Sequence, residues 1–289
     1  MINKILDVFR RKTINEYREF DLHNISDEWF RSHFIYAADV VAEWLEKIRP
    51  VTDSTILDFG CGDGIMSLGM ALRKHAKMMH GIDLHDSFTY LPETARKQIN
   101  LSALPDNIKH HRIQAGESVR KFELIDAIYS WSVFEHIDKI LIPAIARDIF
   151  FALPIKGGFF LQIEPLYYSP HGSHLGGILT QPWIHLLVSQ DELIDLVINS
   201  DLEKMDAEHK NKTFDVCSAD DFKSYLIREY STLNKITYGE LISIFLEAGF
   251  VIHEQWLGQT NLTPPSSLLE KYPKDDLITS EIRILFKKI

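Results

Sequence analysis

Three groups of residues in this chain have types and spacings suited to chemistry. The first is Asp58-Phe59-Gly60-Cys61-Gly62-Asp63-Gly64, where a short apolar strand with Ile56 and Leu57 runs into glycines at alternate positions. Such a turn lets bare backbone approach a ligand, and the helix that follows presents unpaired N–H groups to the same space. That is a nucleotide-type site. The second group is Ser132-Val133-Phe134-Glu135-His136-Ile137-Asp138. His136 there can serve as a base, or with Glu135 and Asp138 as a weak metal site; the plainer alternative is a histidine that packs or caps a helix start. The third runs from Glu164 to Leu175 and places Glu164, Tyr167, Tyr168, His171 and His174 among prolines and glycines that make a loop. Its candidate bases are His171 and His174. His-x-x-His with Glu164 is a weak ligand pattern without a helix to frame it, so no metal is expected.

The spacing of the glycines decides which nucleotide. A dinucleotide fingerprint needs its third glycine where Ile65 stands, and no Gly-Lys-Ser/Thr closes the turn as a P-loop would. The run Asp-x-Gly-x-Gly-x-Gly, followed about 20 residues later by a strand ending Gly81-Ile82-Asp83-Leu84, resembles motif I and the next acidic motif of the class I S-adenosylmethionine-dependent methyltransferases. The order Ala248-Gly249-Phe250, strand, loop, strand at the C-terminus is similar to the end of the sheet in that family. The resemblance covers roughly residues 50–165 and 236–289. It implies an α/β fold: a Rossmann-like, seven-stranded methyltransferase sheet, mostly parallel with an antiparallel last strand, plus a helical insertion. It also implies S-adenosylmethionine as cofactor.

Carried onto this sequence, the resemblance assigns cofactor-binding roles. Asp83 would accept the ribose hydroxyls, with a helix cap as its alternative, and Leu84 would pack on the adenine. Gly60, Gly62 and Gly64 would line the methionine portion above Asp58, with Cys61 packed among them as a small apolar group and no nucleophile. Asp63 is either a contact or a helix cap. The third-strand motif departs from the family: Gly116 stands where an acid is expected, which leaves Glu117 or a nearby carbonyl for the adenine amino group. Ser130 and Trp131 would sit at the mouth of the site, Trp131 alternatively being a core aromatic. The segment from Ser169 to Leu175, with Pro182–Leu187 and Leu233-Asn234-Lys235, is similar to a bacterial small-molecule and glycan-type subgroup and favours His174 as the base.

The elements that must position these residues follow from periodicity. Ser26-Asp27-Glu28 opens a long helical stretch through Trp29, Phe30, Phe34 and Trp44 that Pro50 ends; these aromatics can cover the acceptor pocket, with a core face the preferred reading for Trp44. Strands are expected at Met78–Leu84, Ile108–Ala115, Leu124–Trp131, Phe159–Ile163, Phe250–Leu257 and Glu281–Phe286, and helices at Pro92–Leu104, Pro143–Leu153 and Tyr238–Ala248. Strands alternating with helices mean a doubly wound sheet. Between Pro165 and Lys235 the rhythm breaks, with helical periodicity over Trp183–Ile198 and Phe222–Leu233. His185 lies in an apolar run and reads as a packed histidine, and Asp201–Lys212 as a solvated loop. The expected organisation is N-terminal helices over 1–49, a cofactor-binding domain over 50–164 and 236–289, and a helical lid or substrate-binding insertion over 165–235.

With 289 residues the chain buries one large core or a core plus a lid. Its net charge of −10 makes nucleic acid an unlikely partner. The only two cysteines, Cys61 and Cys217, form no disulfide framework, which fits a cytoplasmic protein. No window is apolar enough to span a membrane, and the basic, apolar segment Ile2–Lys12 reads as a packing helix rather than a surface-bound one. The function expected is methyl transfer to an oxygen or nitrogen of a small-molecule or glycan-like acceptor. The alternatives are a protein or tRNA methyltransferase, or a non-catalytic cofactor-binding protein.

Overall fold

A computed structural model describes residue 22 and residues 25–122, 124–202 and 219–289. The Ile2–Lys12 segment, Cys217 and most of Asp201–Lys212 lie outside the described residues. Seven strands form one sheet: β1 (Thr55–Phe59), β2 (Met78–Asp83), β3 (Ile108–Arg112), β4 (Ala127–Trp131), β5 (Gly158–Ile163), β6 (Val251–Gln259) and β7 (Thr279–Lys287), ordered β3-β2-β1-β4-β5-β7-β6. The chain divides into two compact units, Met1–Ile113 and Gln114–Ile289.

In the first unit β1, β2 and β3 pair in parallel. Every residue of β1 is buried, whereas β3, Ile-Lys-His-His-Arg, is polar and half-exposed, as an edge strand must be to discourage further pairing. Asp27 caps the first helical turn by accepting the Phe30 N–H at 3.0 Å. The helical stretch continues through a π turn at Ser32–Ala37 and on to Glu46. Phe30 and Phe34 are fully buried against Ile65, Leu68 and Leu72 of the helix Ile65–Leu72, and Trp44 is buried too. Those three aromatics therefore belong to the core and not to a pocket wall; Trp29 alone of the four is exposed. The two helices meet where Gly69 sits, since a Cβ there would lie 2.5 Å from the Phe34 carbonyl oxygen.

In the second unit β4 and β5 are parallel, and β7 runs antiparallel between β5 and β6. The core here is aromatic: Phe134, Phe159, Phe245, Phe250 and Phe286 pack ring against ring, with Phe245 and Phe286 stacked at 4.7 Å. Thr237 and Glu240 form a capping box that starts the helix Tyr238–Glu247, and Gly249, at φ 109°, closes it.

Several elements are shorter than periodicity alone suggests. The fourth strand begins at Ala127, because Leu124 is exposed with φ 61°. The stretch Trp183–Ile198 is two helices, Ile184–Leu187 and Gln190–Ile198, since Ser189 and Glu192 make a capping box that starts a new one. Together with Ala219–Thr232 they bury Tyr167, Leu175, Ile184, Leu193, Val197, Tyr230 and Leu233 in a small core of their own.

Candidate active site

The glycine turn of the first unit is held by its own backbone. Gly60 and Cys61 both donate to the Ile82 carbonyl at 2.9 Å, and Gly64 donates to the Cys61 carbonyl at 2.8 Å. Gly62 and Gly64 take φ of 53° and 78°, which L side chains adopt only with strain. A Cβ on Gly64 would strike His110 Nε2 at 2.6 Å, while one on Gly62 would meet nothing within 4 Å. The turn is thus packed on one side and open on the other.

Asp83 ends β2 beside this turn. Its Oδ2 accepts the Gly62 N–H at 2.9 Å and its Oδ1 the His85 N–H at 2.8 Å. The second bond makes a local turn and not a helix cap, because the next helical turn starts only at Ser87. Each carboxylate oxygen keeps a lone pair, so the pair can still accept two hydroxyls. Leu84, next in the chain, leaves its apolar side chain exposed. Asp58 is buried beneath and accepts the Ser67 hydroxyl at 2.7 Å. The open glycine, the doubly anchored carboxylate and the exposed leucine fit a ribose-bearing nucleoside.

Asp63 does two jobs. Its Oδ1 accepts the Ile65 N–H at 3.0 Å, which caps the helix, and its Oδ2 accepts the Trp29 indole N–H at 2.7 Å. Trp29 is thereby a residue of the turn, 34 positions upstream of its partner, a link that no local pattern announces. Burial, then Asp58, Asp83 and Asp63, push the Cys61 thiol far up, so it supplies no thiolate. His110, also missed in the sequence, packs against Gly64 and Gly81. Burial lowers it to about 4, and its Nε2 has no hydrogen-bond partner.

In the second unit, Gly116 has φ 76° and open space around its missing Cβ. Glu117 folds back onto its own loop, accepting from Lys121 Nζ at 2.5 Å and the Gln114 N–H at 2.8 Å; Lys121 first, then Gln114, hold it below the usual carboxylate range. Ser130 is buried and Trp131 half-buried.

The two polar clusters meet in part. Glu135, His136 and His174 each bring a ligand atom within 4.8 Å of the others, and the two imidazoles stand edge to face at 5.2 Å. His171 and Glu164 are exposed and outside this group, and Asp138 instead accepts the Ile140 N–H at 3.0 Å. Asn234 fastens the Glu135 segment: its Nδ2 donates to the Phe134 and Ile137 carbonyls at 2.6 and 2.7 Å, and its N–H to the Glu135 carbonyl at 2.9 Å. Gly172 lets the other loop fold tightly, since a Cβ there would sit 2.1 Å from the Tyr167 carbonyl oxygen. Burial lowers His174 to about 4 and His136 below its ordinary value, so both rings are neutral at neutral pH. His185 is buried with its Nε2 on the Tyr167 carbonyl at 2.6 Å, a packed histidine as read.

Comparison with known proteins supplies the family. The family model described as a methyltransferase domain matches residues 31–255. No curated protein matches. Among solved structures, a candidate sarcosine dimethylglycine methyltransferase from Galdieria sulphuraria superposes with a TM-score of 0.52 at 13% identity, over 88% of this chain and 86% of that one. A geranyl diphosphate C-methyltransferase from Streptomyces coelicolor A3(2), solved with S-adenosyl-L-homocysteine, gives 0.50 at 12% identity, over 87% of this chain and 79% of that one. At such identities the likeness is one of fold, while the family match spans most of the chain: it belongs to the methyltransferase-domain family and is an S-adenosylmethionine-dependent methyltransferase of class I.

Proposed function

We propose that this enzyme methylates an oxygen or nitrogen of a small-molecule or glycan-like acceptor. The observation that carries the reading is the group Glu135, His136 and His174, which puts two neutral imidazoles beside a buried carboxyl. A carbon or sulfur nucleophile that is already electron-rich needs no such group; a hydroxyl or ammonium must first lose a proton. The acidic chain disfavours a nucleic acid, and the small core of the 165–235 segment suits a lid over a compact acceptor.

In this reading Asp83 takes the ribose hydroxyls, Leu84 covers the adenine, and the turn of Gly60, Gly62 and Gly64, open at Gly62, receives the methionine portion above Asp58. In the second unit Gly116, open at its missing Cβ, and the half-buried Trp131 are the candidates for further cofactor contact, whereas Glu117 is tied to its own loop and Ser130 is buried. The bound cofactor supplies a methyl group already activated on a sulfonium sulfur, so the chain's task is to align the acceptor and remove its proton. His174 and His136 handle that proton, with His171 and Glu164 at the loop entrance orienting the acceptor. Incubation with labelled S-adenosylmethionine and fractionated metabolites tests the proposal: label should enter small, hydroxyl- or amine-bearing products. Label appearing only in protein or tRNA would overturn it.

A further inference from the structure

We infer that Glu135, His136 and His174 form a site for one divalent transition-metal ion, bound through a carboxylate oxygen and two imidazole nitrogens. The ion site deepens the reading above, on which only its role towards the acceptor rests; metal binding itself is independent of it. None of the ligand sets weighed on the sequence contains this trio, because its members come from both polar clusters.

Glu135 is 3% exposed, and neither carboxylate oxygen has a hydrogen-bond partner from another residue. Burying an ionised carboxylate without a partner is costly, and protonating it leaves a buried O–H with nothing to donate to. A cation shared with the two imidazoles removes that cost. The ligand atoms stand within 4.8 Å of one another, and closing on an ion with bonds near 2.0–2.2 Å asks each side chain to move by roughly an ångström.

The rings are also set in the right tautomers. Thr232 donates its hydroxyl to the Glu229 carbonyl, so it accepts from His136 Nδ1–H at 2.7 Å and leaves the Nε2 lone pair free for the ion. His174 Nε2–H donates to the Pro165 carbonyl at 3.3 Å, which leaves its Nδ1 for the same purpose. Outer partners of this kind orient metal-bound imidazoles. Phe134 in the aromatic core and Asn234 on the backbone hold the segment that carries two of the ligands. Two imidazoles with one carboxylate suit Zn²⁺, Co²⁺ or Mn²⁺ better than the all-oxygen shells of Ca²⁺ or Mg²⁺. Three protein ligands leave a position at which an acceptor hydroxyl would be acidified; with the ring nitrogens of His136 and His174 then engaged, the ion takes over the imidazoles' role towards the proton, which would pass to solvent.

The full-length protein, stripped with chelator, is titrated with Co²⁺ alone and then with Zn²⁺, read by visible absorption and calorimetry. One ion per chain should bind, and Glu135→Gln and His174→Asn should each weaken it by about 100-fold or more; asparagine tolerates the left-handed backbone at position 174, where φ is 60°. Retained stabilisation of both variants by S-adenosylhomocysteine shows that they fold. No binding by the wild type, or equal binding by folded variants, overturns the site. Metal binding with acceptors other than hydroxyls or amines leaves the site standing and removes the reading of the acceptor.

Discussion

The glycine turn and the histidine cluster are built in opposite ways. The turn is contiguous: Gly60 to Gly64 fold on local backbone bonds, and one strand supplies Asp83. Its chemistry lies mostly in N–H groups and open space, which a spacing of glycines specifies directly. The cluster joins Glu135 and His136 to His174 across 38 positions, and Thr232 and Asn234, farther still, set its tautomer and its backbone. Its chemistry lies in side chains whose properties come from burial. Backbone sites are written in short motifs; buried side-chain sites are written in the packing.

That contrast can be broken most sharply at His174. His174→Asn should cut turnover by roughly 10²–10⁴ while leaving stabilisation by S-adenosylhomocysteine unchanged, because only the side-chain site is touched. Equal loss of both, followed by single-turnover assays and thermal shifts, would merge the two regions into one. The next effect concerns protons at the turn. His110 titrates near 4 in the fold against an ordinary value of 6.5, so the unfolded chain binds the extra proton between those values. Stability present above pH 6.5 is therefore lost as pH falls towards 4, by up to about 3 kcal/mol from this group. His110→Gln should flatten that part of a denaturation-versus-pH curve, and an unchanged slope would assign the acid sensitivity elsewhere. The smallest effect is expected at Trp29→Phe, which removes the indole bond to Asp63 and should cost about 1 kcal/mol in a urea titration. A matching loss of about fivefold in S-adenosylhomocysteine affinity would show that even the local turn depends on one distant side chain.

Much of the fold was legible because burial leaves its mark on sequence. β1 and β5 are buried along their whole length and read as apolar runs, and Gly249 ends its helix where a left-handed residue was needed. What periodicity missed was punctuation: the Ser189–Glu192 box splits one apparent helix, and Leu124 is an apolar residue in a turn. Phe30 and Phe34 looked equally able to wall a pocket or fill a core, since an apolar helix face does not say what covers it.

By itself the sequence determined the turn, the acidic end of β2, the alternation of strands and helices, and with them the family. Glycine's freedom at positive φ and the reach of a carboxylate two positions past a glycine are properties of residues, available before folding. Only the tertiary structure decided that His174 joins His136 while His171 stays in solvent, that Glu135 is sunk without a partner, and that Trp29 belongs to the turn. Desolvation and long-range hydrogen bonds made those choices, and neither exists until the chain has closed upon itself.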